Sequence, residues 1–260
     1  MSSVMIDVRS LGVSFGSTRV LHDLSLRLEA GRTVGVVGES GSGKSTLAKV
    51  LVGVVEPNTG EVVVADTDVR RLGRRSRREI QAYRRRVQMI PQDPFSSLSP
   101  RRTIGQTLAE ALDPVRANVR RVEDRIVEWL ERVGLPADAM GRYPHEFSGG
   151  QRQRVAIARS LIVEPSVVIA DEITSALDVS VQAQILDLIA EIKQGLGLTM
   201  VFISHNLAVV QRVSDMVAVM YHGEIVEVGA VEQIYADPRH WYTKRLLDAD
   251  PGAPGFDLAW

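Results

Sequence analysis

Eight residues, Gly38-Glu39-Ser40-Gly41-Ser42-Gly43-Lys44-Ser45, stand between a β-rich run at Thr33–Val37 and a helical stretch at Ser45–Val52. Few folds accommodate a strand that stops at glycine, a glycine-rich turn and a helix in direct succession. Three glycines let the backbone curl until several N–H groups face one anion. The following helix aims the positive end of its dipole at the same point. Lys44 has the reach for the β- and γ-phosphates of a nucleotide, and the Ser45 hydroxyl can ligate Mg²⁺. A flexible Gly/Ser turn is the plain alternative, and the placement after a β-run and before a helix argues against it.

The rest of the chain alternates in the same way. Residues 4–30 read as short strands turning near Gly16–Ser17, and Glu61–Val64 as another strand after the Pro57–Gly60 turn. Nine arginines fall within Arg70–Arg86 and are followed by an apolar strand, Val87–Ile90. Pro91–Pro100 reads as a loop, Thr103 to about Val133 as helical with breaks at Pro114 and Asn118, and Gly150–Val163 as a helix ending before Pro165. Strands at Val167–Ala170, Thr199–Ile203, Met216–Met220 and Glu224–Val228 enclose helices at Val179–Gln194 and Leu207–Val213. Strands alternating with helices predict an α/β core. The segment from about 95 to 162 carries little strand signal and reads as a helical insertion.

Composition narrows the chemistry by exclusion. A net charge of −1 gives no global reason to expect a nucleic-acid partner. The absence of cysteine rules out disulfides, zinc–thiolate sites and iron–sulfur clusters in this chain. No apolar run approaches the roughly 20 residues of a membrane span; the longest, such as Val50–Val55 and Val167–Ala170, read as buried strand or helix ends. Met1–Arg9 has no apolar signal-peptide core, so work at a membrane would need recruitment by a partner. The arginine run at 70–86 reads as a solvated helix surface with Glu79 as a local partner, the alternative being contact with anionic headgroups or an acidic protein face.

Two further patterns bear on the phosphate loop. Val167-Val168-Ile169-Ala170-Asp171-Glu172 is a hydrophobic strand ending in adjacent carboxylates. Delivered beside the loop, Asp171 is placed to hold Mg²⁺. Successive strand side chains point to opposite sides, so Glu172 is free for another task, polarising an attacking water as general base. Phe147-Ser148-Gly149-Gly150-Gln151, running into Arg152-Gln153-Arg154-Val155-Ala156-Ile157-Ala158-Arg159, opens a helix with paired glycines and makes a second anion-binding terminus. One chain with one phosphate loop has no obvious use for it, unless it serves the nucleotide of a partner subunit.

Together these motifs resemble the ATP-binding-cassette ATPases, in the right order over nearly the whole chain. The resemblance implies a P-loop NTPase (RecA-like) α/β core with an antiparallel β subdomain and an inserted α-helical subdomain at about 95–162. It implies ATP and Mg²⁺ as ligands, with Thr46 and Gly38–Ser45 contacting the nucleotide. Phe15 lies at the adenine-stacking position. Gln92, in Ile90-Pro91-Gln92-Asp93-Pro94, matches the glutamine that touches Mg²⁺ and senses the transmembrane partner. Ser175-Ala176-Leu177-Asp178 matches the D-loop, with Asp178 near nucleotide, and His205 in Ile203-Ser204-His205-Asn206 matches the switch histidine. The expected catalytic set is Glu172, His205, Lys44 and Gln92, and the metal set Ser45, Gln92 and Asp171. Ser148, Gly149, Gly150 and Gln151 would meet the nucleotide of the other subunit. Ile173 stands where the family usually has proline, which puts the aim of Glu172 in question, and Phe147 stands where leucine is commoner.

Tyr143–Arg154, Pro91–Pro100 and Thr174–Val181 look most like the dipeptide, oligopeptide and nickel importer branch, as does the tail piece His240-Trp241-Tyr242-Thr243-Lys244. The division expected is an ATPase domain over 1–235 and a C-terminal extension of the oligopeptide-importer type over 236–260. Expected partners are a second, homologous ATPase subunit (a heterodimer rather than a homodimer), two transmembrane permeases and an extracytoplasmic solute-binding protein, at the cytoplasmic face of the membrane. Within the branch, importers of glutathione, nickel or metal–metallophore complexes and a phosphonate-processing complex are the alternatives.

Overall fold

In the computed structural model, residues 3–175 and 177–249 are described, with the side chains of all but 95 and 96. Two long strands open the chain, β1 (Val4–Phe15) and β2 (Thr18–Glu29), followed by β3 (Thr33–Val37), helix α1 (Lys44–Leu51), β4 (Thr59–Val64) and the short β5 (Thr67–Asp68). The basic run supplies a 3₁₀ turn at Val69–Arg74 and α2 (Arg77–Arg86), before β6 (Val87–Ile90). Between β6 and β7 (Val167–Asp171) the described elements are all helical: α3 (Pro94–Ser97), α4 (Ile104–Leu112), α5 (Glu123–Arg132) and α6 (Gly149–Leu161), with three 3₁₀ turns. Then come α7 (Val179–Leu196), β8 (Thr199–Ile203), α8 (Leu207–Val213), β9 (Met216–Tyr221), β10 (Glu224–Ala230), α9 (Val231–Ala236) and α10 (Trp241–Asp248).

These strands make two sheets. One is antiparallel, in the order β2-β1-β4-β5. The other runs β10-β9-β3-β8-β7-β6, parallel throughout except for β10, which returns antiparallel on β9. Its inner strands are apolar on both sides because both faces are covered. Val34, Val36, Val167, Ile169, Val201 and Ile203 join the antiparallel sheet and Leu47 and Leu51 of α1 in one core. The intervening Val37, Val168, Ala170, Met200 and Phe202 join helices α4 to α8 in the other. A period of two thus divides each strand between two cores.

Two local outcomes differ from the sequence reading. Residues 4–30 form two strands of twelve residues each rather than several short ones. Register shifts along the β1–β2 pair interrupt the alternation, and Ser10 and Asp23 turn to positive φ. Pro91–Pro100 is not all loop, since Pro94–Ser97 closes a single helical turn. Among the described residues no helix is long and apolar enough to cross a membrane.

Candidate functional site

Parallel strands all point their carboxyl ends at one edge of the sheet, where ligands of open α/β sheets bind. Neighbours β3, β8, β7 and β6 end at that edge, leading into Gly38, Ser204, Glu172 and Pro91. The loop after β3 begins in a crowded place. Gly38 has φ 152°, and a Cβ there would fall 2.1 Å from the carbonyl oxygen of Met220 on β9, so no side chain fits. Lys44, the first residue of α1, is buried and turns its ammonium back into the loop, donating at 2.8 Å to the Gly38 carbonyl and at 2.8 Å to that of Glu39. Its Nζ also lies 3.4 Å from Ser42 Oγ. Burial pushes the lysine pKa down, against the opposing pull of Glu172, Asp171 and Glu39. The charge is thus kept in a dry place among carboxylates and carbonyls, where its field acts most strongly.

Asp171 closes β7, paired in register with Ile203 of β8. Burial raises its carboxyl above the usual aspartate value, although a hydrogen bond from the Ser45 hydroxyl acts the other way. Its Oδ1 is buried without a hydrogen-bond partner. An orphaned carboxylate oxygen beside a serine hydroxyl suits a hard divalent cation, which takes few protein ligands and fills its shell with water and phosphate. Mg²⁺ fits this donor set.

Glu172 follows, and its backbone leaves the strand. Its N–H donates to the Ile203 carbonyl at 2.9 Å, while its φ of 47° lies in the left-handed region that a glutamate rarely adopts. The next residues hold that turn: Ser175 donates to the Glu172 carbonyl through N–H at 3.1 Å and Oγ at 2.9 Å. Ile173 is buried in the helix-side core. Burial of its side chain anchors the turn that follows Glu172. The Glu172 carboxylate then receives two side chains, from the loops that follow β6 and β8. Gln92 Nε2 donates to Oε2 at 3.1 Å, and His205 Nδ1 lies 3.5 Å from the same oxygen. His205 is far more open than the carboxylate it faces, with 62% of its side chain exposed against 20% for Glu172.

Ser148 caps α6, its Oγ accepting the Gln151 N–H at 3.3 Å while Gln151 Oε1 accepts the Ser148 N–H at 2.9 Å. A Cβ on Gly149 would meet nothing within 4 Å, whereas one on Gly150 would lie 2.7 Å from Val181 Cγ1 of α7. The first glycine therefore leaves the helix end open to solvent, and the second lets α6 approach α7. The Ser148 and Gln151 side chains each accept the other's backbone N–H, within the cap of α6. Asp178 caps α7, accepting from Val181 N–H at 2.9 Å and from Ser180 Oγ at 2.7 Å. Those bonds, Val181 first, hold its carboxyl below the usual range. Ala176, between Ser175 and Asp178, lies outside the described residues, as do 250–260 of the expected extension.

Phe15 ends β1 with 53% of its surface exposed, outside either core. Sequence reasoning missed one participant. Tyr242 of α10 accepts the Glu39 N–H at 3.0 Å, and nothing in the motif points to a residue 203 positions away.

Residues 21–175 match the family described as ABC transporter. A relative from Brucella ovis that carries a peptide-import, ATP-binding name is 47% identical over 253 residues, 95% of this chain and 78% of its own length. The oligopeptide transport ATP-binding protein OppF of Bacillus subtilis is 44% identical over 257 residues, covering 96% of this chain and 84% of that one. A dimeric ATP-binding cassette, solved in a post-hydrolysis state bound to ADP and Pi, superposes with a TM-score of 0.76 at 25% identity, over 87% of this chain and 99% of its own. Family match, relatives and fold agree: this chain belongs to the ABC transporter family.

Proposed function

We infer that this chain is the ATP-hydrolysing, nucleotide-binding subunit of an ABC importer for peptides, driving transport through separate transmembrane permeases at the cytoplasmic face of the membrane. The observation that carries the chemical part is the convergence of Gln92 and His205 on one oxygen of Glu172, next to the buried, half-satisfied Asp171. Names borne by the relatives support the peptide cargo, and an extracytoplasmic solute-binding protein completes such a system.

Each residue has a part in this reading. Gly38–Ser45 and Thr46 wrap the phosphates, Phe15 stacks on the base, and Lys44 moves its ammonium from the loop carbonyls toward the β- and γ-phosphates. Ser45 and Asp171, with Gln92, hold Mg²⁺, which when bound neutralises phosphate charge. Glu172 accepts a hydrogen bond from water and orients it in line with the γ-phosphate, while Gln92 and His205 fix the carboxylate that does so. The water oxygen bonds to the γ-phosphorus as its proton passes to Glu172, and the bond from that phosphorus to the bridging β-phosphate oxygen breaks, leaving ADP and inorganic phosphate.

The open N-terminus of α6 needs a nucleotide that this chain does not bring to it. A second ATPase subunit, homologous rather than identical, supplies that nucleotide, and Asp178 faces the joint between the two. Residues 1–235 form the ATPase domain, with 95–162 inserted, and 236–260 the extension.

Glu172→Gln is the decisive variant. It keeps the size and the hydrogen bond with Gln92 but cannot act as a base, so turnover drops by roughly 100-fold or more with ATP binding retained. Hydrolysis at the parent rate would sink the assignment. Peptide uptake by proteoliposomes holding the permeases, abolished by the same substitution, tests the transport part.

A further inference from the structure

We propose that Tyr242 is a positioning residue of the nucleotide site, whose hydroxyl fixes the Gly38–Glu39 peptide and so ties the C-terminal helix to the phosphate loop. This rests on the reading of Gly38–Ser45 as the ATP site. The Gly38 carbonyl and the Glu39 N–H belong to one rigid peptide plane. Lys44 Nζ donates to that carbonyl at 2.8 Å, and the N–H at the other side of the plane donates to Tyr242 Oη at 3.0 Å. The plane that holds the lysine in place is therefore itself held by the tyrosine. Freed of Tyr242, it can rotate about its flanking bonds and carry the carbonyl away from Nζ.

The hydroxyl is presented by a well-anchored ring. Tyr242 is 1% exposed and part of the helix-side core, with its ring centroid 4.2 Å from that of Tyr221 on β9. Tyr221 directly follows Met220, whose carbonyl crowds Gly38. The start of α10 is fastened to β10: Glu227 accepts the Arg239 N–H at 2.8 Å and the His240 N–H at 3.0 Å, and His240 Nδ1 accepts the Tyr242 N–H at 3.2 Å. Burial favours a raised pKa at Glu227. Hydrogen bonds to its carboxylate, those from the Arg239 and His240 N–H groups among them, outweigh it and hold the carboxyl below the usual range, so the fastening is ionised at neutral pH. Burial likewise raises the Tyr242 pKa, so the group at the loop is a neutral hydroxyl.

The test uses the full chain with Tyr242→Phe, which removes the oxygen and keeps the ring. Losing one hydrogen bond of this kind raises the Kd for a fluorescent ATP analogue, and the KM for ATP, about 2- to 10-fold. Three readouts separate positioning from general support. The thermal midpoint without nucleotide and kcat at saturating ATP stay close to the parent's, and amide exchange at Glu39 becomes faster. An unchanged Kd and KM overturn the proposal, even if Glu39 exchanges faster, because the tether would then serve only the fold. So does a parent chain whose Glu39 amide already exchanges as fast as an open loop. Lys44→Ala is the control on the underlying reading. It abolishes binding of the analogue if Gly38–Ser45 is the ATP site, and normal binding there defeats that reading whatever Tyr242→Phe does.

Discussion

At the scale of single residues, exposure separates binding roles from packing roles. Phe15 is a large aromatic left half in water at the end of a strand, so its removal takes little from either core. Offset stacking on a base is worth a modest amount beyond area burial. Phe15→Ala is expected to raise the KM for ATP about 2- to 10-fold while the thermal midpoint stays within about 1 °C of the parent. A large fall in stability would instead make Phe15 a core residue. The placement of Lys44, Ser45, Asp171 and Glu172 at one sheet edge was legible in the sequence because each sits at a fixed offset from a glycine or a strand end. Tyr242 was not, because a hydrogen bond spanning 203 positions leaves no local periodicity or spacing. The left-handed backbone of Glu172 was equally hidden, since glutamate gives no sign of positive φ as glycine does.

Elements were legible where apolar runs were clean. β3, β7 and β8 are buried at every position and could be read directly. α9 and α10 were missed, being short helices of mixed polarity whose faces are settled by β10 and the Tyr221 ring. The joints between elements follow from polar detail of the same kind. Asp215, just before β9, accepts the Thr33 N–H of β3 at 2.6 Å and faces Lys193 of α7 at 3.2 Å and Arg32 at 3.4 Å. Burial favours raising its pKa, but the Thr33 bond and the two cations prevail and lower it. A carboxyl depressed in the folded state stabilises above its unfolded value and loses that contribution as pH falls through the folded one. The loss therefore begins near pH 4, around the ordinary 3.8, and is complete only at more acidic pH. Asp215→Asn is expected to cost roughly 1–2 kcal/mol at pH 7. It should also flatten the acid limb of a plot of thermal midpoint against pH. An unaltered acid limb would show that the joint contributes nothing through its charge.

For the whole molecule, the proposed function makes the open terminus of α6 one side of a joint, and assembly part of the activity. A chain that pairs with a homologous partner should remain monomeric by sedimentation velocity when Glu172→Gln is saturated with ATP alone. It should form a stable complex once the second ATPase is co-purified. A tight dimer of this chain by itself would establish the homodimer instead. The sheet order also bears on how the protein is made. β3, which carries the phosphate loop, lies between β8 and β9, strands that follow it by well over a hundred residues. On the ribosome one edge of β3 waits unpaired until Ile203 has emerged and the other until Tyr221 has, and pairings so distant in sequence form slowly. The nascent chain has no fixed base for its loop during that time. Nucleotide capture comes last in synthesis, and an incomplete copy cannot compete with finished subunits for ATP.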